Sequence, residues 1–542
     1  MIAKHKETEM MHSWTSNGVI AQKILNKLRS VLIILELHPW LAGSVLVVIF
    51  VALFGFLQRH PTILDSDSLY HAKIVEFLSQ GILVKNFPWL PLTLLANYYT
   101  DHHFLYHLIL VPFVLLFDPI VVLKVAIVIL GPLALLVYFW TMRRFQVIGA
   151  FWWTFFAGTS WPLLFRLNLV KALPLSLIIY FLGLVCLKEN RYHWLAVLSF
   201  IYVWTYGGWP LLLVSVALYS AGLFFIGKEK LYSSIAPLGW SFFGSVAGII
   251  INPYFPTNLT FFQRQIIDIA LIPTSISVVG NEWFRFPWVE LFTAAAPLFV
   301  VSLVVITILI IDWLTDQTLR FNDSKEKVFY LTMGIISCSF LLLTLISRRY
   351  VEYFIPLGHL ATALWLSVLW RSGTTNPFYQ IIKDWSLSKW WYAMTALLII
   401  FFIVVYTTRT VRLLDKRFEN GWSFIYLKGA SQWLESRVPS RTMVYNLRWD
   451  DFPALFYFAP NLSYVSGLDL RFLDGDNEAR LKEWENIYRG VSSDPAAVIR
   501  NSFKAEYVLV SDFHTEEAVK MFNAHKFPII YKDSEATIYA VP

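Results

Sequence analysis

Charge and sulfur are what this chain is short of. Only 15% of its 542 residues are Asp, Glu, Lys or Arg, against about 25% in a soluble domain, and two are cysteines. The first shortage removes the solvated surface that a water-soluble fold of this length requires. The second excludes a disulfide framework or a thiolate metal site, the more so because Cys186 and Cys338 both fall inside apolar runs and read as packing residues. Internal repeats are missing too, as is the inverted symmetry that many transporters carry. The N-terminus lacks a short apolar core ending in a small-residue cleavage site. A basic arm with Lys4, Lys6, Lys23, Lys27 and Arg29 leads instead into a long apolar run, expected to stay as an uncleaved anchor.

What the chain has is apolar and aromatic bulk. Hydrophobic residues make up 57% and aromatic ones 17%, with 23 Trp and 26 Tyr, and the mean hydropathy is +0.56. Lipid is the main solvent, and the abundant rings suit membrane interfaces, where one side is dry and the other wet. The net charge of +7 is spread over short loops and forms no stripe, so it speaks for membrane orientation and against nucleic acid.

A spanning helix takes about 20 mainly apolar residues. Eleven spans are expected, near 36–57, 119–140, 148–165, 169–187, 192–206, 208–226, 234–251, 288–311, 328–346, 351–370 and 390–408. The run Phe104 to Phe117 is too short to cross and reads as an interfacial or re-entrant helix. This choice puts Arg143 and Arg144, Lys188 and Arg191, Lys228 and Lys230, Arg320, Lys325 and Lys327, and Arg371, Lys383 and Lys389 on the cytoplasmic side with the arm, as the positive-inside rule requires. Counting 104–117 as a span would invert everything after it. The expected class is therefore an α-helical polytopic protein of the plasma (inner) membrane. It has a cytoplasmic arm 1–35, a transmembrane domain 36–408 with outer loops 58–118 and 252–287, and an extracytoplasmic α/β domain 410–542. In that last domain charges become frequent and short β-type runs such as Tyr507 to Val510 and Ile529 to Tyr531 alternate with helical stretches.

One topology thus delivers every chemically suggestive cluster to a single face. The first outer loop holds Asp65 and Asp67, with Asp67 the expected N-cap of an amphipathic helix that Gly81 stops, His71 one turn on and Lys73 beyond it. Grouped carboxylates of this kind bind Mg²⁺ or Mn²⁺, or supply a general base; an ordinary capped surface helix is the plain alternative. Asp101, His102 and His103, with His107, offer transition-metal ligands at no standard spacing. Glu282 is an isolated acid in the second long loop, and completes the Asp65/Asp67 site or is a solvated loop residue. Arg348 and Arg349 run against the charge bias on the outer side, which suits phosphate binding or an ion pair with Glu352. Arg166 and Lys171 add to the same cationic surface. Trp449, Asp450 and Asp451 in the last domain suit an acceptor's polar group or a strand-edge turn.

This order of parts resembles the GT-C glycosyltransferases, and most of all the oligosaccharyltransferase catalytic subunits. Their first-loop motif, Asp-x-x-aromatic-His/Asn-x-basic, is matched by Asp67, Tyr70, His71 and Lys73, with Asp65 in place of an upstream acid. The resemblance implies a catalytic Glu in a later loop, for which Glu282 stands, and a phosphate-binding arginine, for which Arg348 or Arg349 stands. The family's acceptor motif, two tryptophans then Asp-Tyr-Gly, is only partly echoed by Trp449, Asp450 and Asp451. The turn that carries a metal-binding acidic pair in that family here runs from Arg166 to Lys171 without an acid. This points to a monophosphate carrier or an acceptor other than Asn.

The resulting expectation is a membrane glycosyltransferase. It transfers sugar from a polyprenyl-phosphate-linked donor to a glycan, lipid or protein acceptor among membrane lipids. Asp67, Asp65 and Glu282 are catalytic, and His71, Lys73, Arg348, Arg349, Arg166, Lys171, Trp449, Asp450 and Asp451 bind substrate. Mg²⁺ or Mn²⁺ is either held weakly at Asp67 and Glu282 with His102 and His103, or not needed. The alternatives are a transporter or flippase of lipid-linked saccharides and a non-catalytic scaffold. The first would need charges along its spans, yet 288–311 and 390–408 carry almost none. The second leaves the acids in two separate membrane loops unexplained.

Overall fold

The computed structural model describes residues 34–269, 280–315, 319–372, 389–473, 478–512 and 516–542. The basic arm 1–35 lies outside these apart from its last two residues, as do 270–279 of the second long loop and the stretch around Lys383.

Six described helices are long and apolar enough to cross a membrane: Pro39–Gln58, Pro119–Arg144, Leu231–Ile250, Ala296–Leu314, Ser324–Ile346 and Arg348–Ser372. Shorter apolar helices, Leu173–Lys188 and Pro210–Phe225, fall where spans are expected. Large apolar side chains such as Val48, Leu303 and Leu342 stay more than 60% exposed on these rods, the pattern of a lipid-facing surface. Between rods, small residues let backbones approach. A Cβ on Gly244 would sit 2.0 Å from the carbonyl oxygen of Ala196, so glycine is what allows Leu231–Ile250 to pack on Tyr192–Thr205.

Several boundaries differ from the sequence reading. The expected span 288–311 is two helices, Trp288–Ala294 and Ala296–Leu314, because the backbone leaves the helical conformation at Ala295. The expected span 148–165 is two helices, Ala150–Thr159 and Trp161–Leu167: Ser160 is extended between them, and Pro162, which has no N–H to continue the first helix, sits in the first turn of the second. The last long helix does not stop near 408 but runs Lys389–Glu419, carrying Arg417 up to the C-terminal domain. Asp67 is the first residue of helix Asp67–Ser79 and not its cap; Asp65 does the capping work, accepting from the Ser68 N–H at 3.2 Å. Gly81, at φ +76°, ends that helix as expected. Helix Phe104–Val114 has 11 residues, a rise of about 16 Å, which is half of what a crossing takes.

The C-terminal domain has a five-stranded sheet in the order Ser463–Tyr464, Met443–Asn446, Tyr507–Ser511, Ala536–Ala540, Ile529–Lys532, the first three parallel and the rest antiparallel. The first long loop is stitched to it. Trp89 Nε1 donates to Pro460 O at 2.5 Å and its own carbonyl accepts from Tyr464 N at 2.7 Å. Thr62 and Ile63 pair antiparallel with Ser423 and Trp422, and Gly421 sits where a Cβ would come within 2.5 Å of Ile63 O. Aromatic packing of Phe87 and Trp89 on Phe456 closes the same seam. The first loop and the domain therefore form one body over the helix ends.

Candidate functional site

Two cavities open at this junction. The larger, about 890 Å³, lies between the helix ends, where Trp161, Phe165 and Phe286 stand, and the domain, which contributes Arg448, Trp449 and Asp450. The smaller, about 100 Å³, lies behind it among Tyr70, His71, Tyr99, Thr100 and His102. Asp67, Lys171, Glu282 and Trp283 line both and form the partition. Residues from the first loop, the Arg166 to Lys171 turn, the second long loop and the domain are thus brought together.

The partition is an alternation of charges. Lys171 Nζ bridges Asp67 Oδ2 at 2.7 Å and Asp65 Oδ2 at 3.1 Å. Arg166 is 2.8 Å from Glu282 Oε2 and 2.6 Å from Glu352 Oε2, and Arg349 approaches Glu282 Oε1 at 3.8 Å. The two carboxyls are driven apart by these surroundings. Burial pushes Glu282 up, but Arg349, Arg166 and Lys171 outweigh it and hold its carboxyl well below the usual range. Asp67 goes the other way: burial raises it against the pull of Lys171, and Asp65 adds to the rise. When two acids of a site separate like this, the raised one is the better proton acceptor.

The arginines divide. Arg348 faces the large cavity, where its Nε donates to Arg285 O at 3.3 Å and Glu290 lies 3.8 Å away, whereas Arg349 lines the small one beside Glu282. Glu352, 1% exposed, takes Arg166 and neither of the two arginines expected for it. Arg417 also lines the large cavity, its guanidinium 5.1 Å over Trp161 and 5.2 Å over Phe165, and among the described residues it makes no ion pair. Sequence reasoning missed it, although a basic residue just beyond the outer end of the last span breaks the charge bias as Arg348 does.

Other expected site residues stand elsewhere. Lys73 lines neither cavity: its Nζ pairs with Glu76 at 2.9 Å and sits 5.0 Å over the Tyr457 ring, because i+6 from Asp67 is the face turned to the domain. Trp449 and Asp450 do line the large cavity, with Asp450 held by Arg448. Asp451 is fully buried beneath them and accepts from Tyr426 Oη at 2.8 Å; burial and then Asp450 push its carboxyl up to about 7. It is a structural acid.

A divalent ion does not fit the groups that the described residues present. Among the described residues no three His, Cys, Asp or Glu side chains converge as ligands, and the carboxylates of the partition already face protein cations at 2.6–3.8 Å. His102 and His103 lie with ring centroids 4.0 Å apart, tilted by 43°, and among the described residues gain no third donor.

No family model and no curated protein matches the chain. Solved structures do. The oligosaccharyltransferase AglB from Archaeoglobus fulgidus, in complex with an inhibitory peptide and a dolichol-phosphate, superposes with a TM-score of 0.60 at 13% identity, over 86% of this chain and 69% of its own. A complex of the Archaeoglobus fulgidus oligosaccharyltransferase with Zn and sulfate gives 0.54 at 11% identity, over 86% and 68%. The arabinofuranosyltransferase AftD from Mycobacteria gives 0.51 at 10% identity, over 92% of this chain and 40% of its own. The fold is therefore that of the GT-C membrane glycosyltransferases, a helical membrane body with a C-terminal α/β domain. At these identities the likeness is one of fold, so function has to be argued from the site.

Proposed function

We propose that this protein transfers a sugar from a polyprenyl-phosphate carrier to a hydroxyl acceptor at the extracytoplasmic membrane face. The observation that carries this reading is the 890 Å³ cavity at the level of the helix ends, which is lined by two arginines, Arg348 and Arg417, and by the Asp67 partition. A lipid tail would remain among the exposed apolar helices while its phosphate enters between the arginines, whose forked donors match phosphate oxygens. The dolichol-phosphate bound by AglB is a donor fragment of this chemistry. Asp67, with its raised carboxyl, accepts the proton of the acceptor hydroxyl as the new bond to the anomeric carbon forms. The bond from that carbon to the carrier phosphate breaks, and its electron pair leaves on the phosphate, where Arg348 and Arg417 stabilise the charge. Lys171 and Arg166 hold the carboxylates in place, the work a divalent cation would otherwise do.

The test is transfer in proteoliposomes from radiolabelled polyprenyl-phosphate sugars. Wild-type protein labels an added acceptor and Asp67→Asn does not. Movement of intact lipid-linked sugar across the bilayer without transfer would favour a flippase instead.

A further inference from the structure

The small chamber has a wall of buried imidazoles that the transfer chemistry above leaves unused. Asp101, 1% exposed, accepts through Oδ1 from the His103 N–H at 3.0 Å and through Oδ2 from His107 Nδ1 at 2.7 Å. His107 Nε2 in turn lies 2.8 Å from His71 Nδ1. Two facing ring nitrogens share one proton, and the carboxylate decides whose it is. With the rings neutral, the His107 hydrogen is on Nδ1, toward Asp101, so its Nε2 is bare. The proton of the second bond then belongs to His71 Nδ1, and His71 Nε2 is bare as well. Burial, before the neighbouring rings, holds His71 and His103 well below the ordinary imidazole value and brings His102 down to about 4.

His71 lines the chamber, and with Nδ1 committed it offers a pure acceptor there. Thr100 lines it too, 1% exposed and with no partner for its hydroxyl among the described residues. Arg349 adds donors, and the stacked rings of Phe261 and Phe472 add an apolar face. Mixed donors and acceptors beside an apolar plate are what recognise a ring bearing several hydroxyls, each of which both donates and accepts. The 100 Å³ volume has room for several waters, and so for the hydroxyl-bearing edge of one sugar.

We infer that the small chamber seats the acceptor, that the acceptor is a sugar or polyol hydroxyl and not an asparagine amide, and that the Asp101–His107–His71 chain positions it by fixing the His71 tautomer. This rests on the transfer reading, in which Asp67 on the partition receives the acceptor's proton. His71 is a positioning residue that orients a neighbouring hydroxyl so that the reactive one meets Asp67.

The test uses the full chain in detergent and needs no turnover. Saturation-transfer NMR is recorded with two probes: a set of methyl glycosides and an acetylated Asn-Ala-Thr amide tripeptide. A ¹⁵N-histidine spectrum, assigned by His71→Gln, reports the tautomer. The expected results are glycoside binding, no tripeptide binding and a protonated His71 Nδ1. In His107→Phe, glycoside binding should weaken roughly five- to tenfold, as for loss of one positioned hydrogen bond. Asp101→Asn, which keeps one acceptor oxygen for the two donors of Asp101, should lose less glycoside binding than Asp101→Leu. The inference is overturned if no glycoside binds, if the tripeptide binds in their place, if His107→Phe binds glycosides normally, or if His71 carries its proton on Nε2. A chain that binds glycosides but transfers no sugar would sink the transfer reading and with it the acceptor role, leaving the chamber as a sugar-binding site.

Discussion

Lys171 Nζ lies 2.7 Å from Asp67 Oδ2 and 3.1 Å from Asp65 Oδ2, so one ammonium joins two carboxylates of the first loop. It comes from the turn between Trp161–Leu167 and Leu173–Lys188, more than 100 residues further along the chain. This contact holds the Asp67 carboxylate at the boundary of the two cavities.

Asp67→Asn keeps the size of the side chain and removes its charge. Transfer should fall by about a hundredfold or more, the range of a lost general base, while binding of polyprenyl phosphate is unchanged. Parallel measurements of transfer and carrier binding check this, and normal transfer would remove Asp67 from the mechanism.

Acid should switch the reaction off through the same residue. Asp67 has to be ionised to accept a proton, and its carboxyl is raised above the ordinary 3.8, so transfer declines as pH falls and the midpoint of the acid limb lies above 3.8. A rate profile measured at saturating donor and acceptor places that limb.

The buried imidazoles impose a separate acid effect, on stability. His71, His102 and His103 bind protons less readily folded than unfolded. The unfolded chain therefore takes up more protons once pH drops below the free-imidazole value of about 6.5, and the folded state loses up to about 1.4 kcal/mol per pH unit for each ring. Thermal midpoints in detergent should be flat above pH 7 and fall steadily from there to pH 5.

Arg348→Ala and Arg417→Ala should each weaken carrier-phosphate binding by about 10- to 100-fold, the worth of a charge-assisted hydrogen bond, with a further loss at higher salt. Arg166→Met should act on the fold instead. It strands Glu352 at 1% exposure and costs about 3–5 kcal/mol, which Glu352→Leu in the same chain should largely return.

The orientation of the whole assembly is open to a direct test. Ser493 is exposed in the C-terminal domain, so Ser493→Cys in a background without Cys186 and Cys338 should react with an impermeant thiol reagent in intact cells. Protection there would place the domain in the cytoplasm.

Much of this was legible in the sequence because it depends on local composition. A run such as Val45 to Leu57 must become a helix in lipid, where every backbone group needs an internal partner, and the change in charge density after 410 marks the domain. That Asp65, Asp67, Glu282 and Arg348 share one face was an expectation from counting crossings, since each passage through the bilayer assigns a loop to one side; their lining of one cavity is what the structure adds. What the tertiary structure alone decided is the pairing among those groups. Loop charge places Arg348, Arg349 and Arg166 on one face but says nothing of which carboxylate each will meet. Neighbours such as Arg348 and Arg349 point into different cavities because one 3-10 turn spans them. Likewise the spacing of Asp101, His107 and His71 reveals no chain, since the hydrogen bond from His71 to His107 crosses two separate helices. Membership of a face is set by hydropathy and charge, which are additive along the sequence; contact at 2.7 Å is set by packing, which is not.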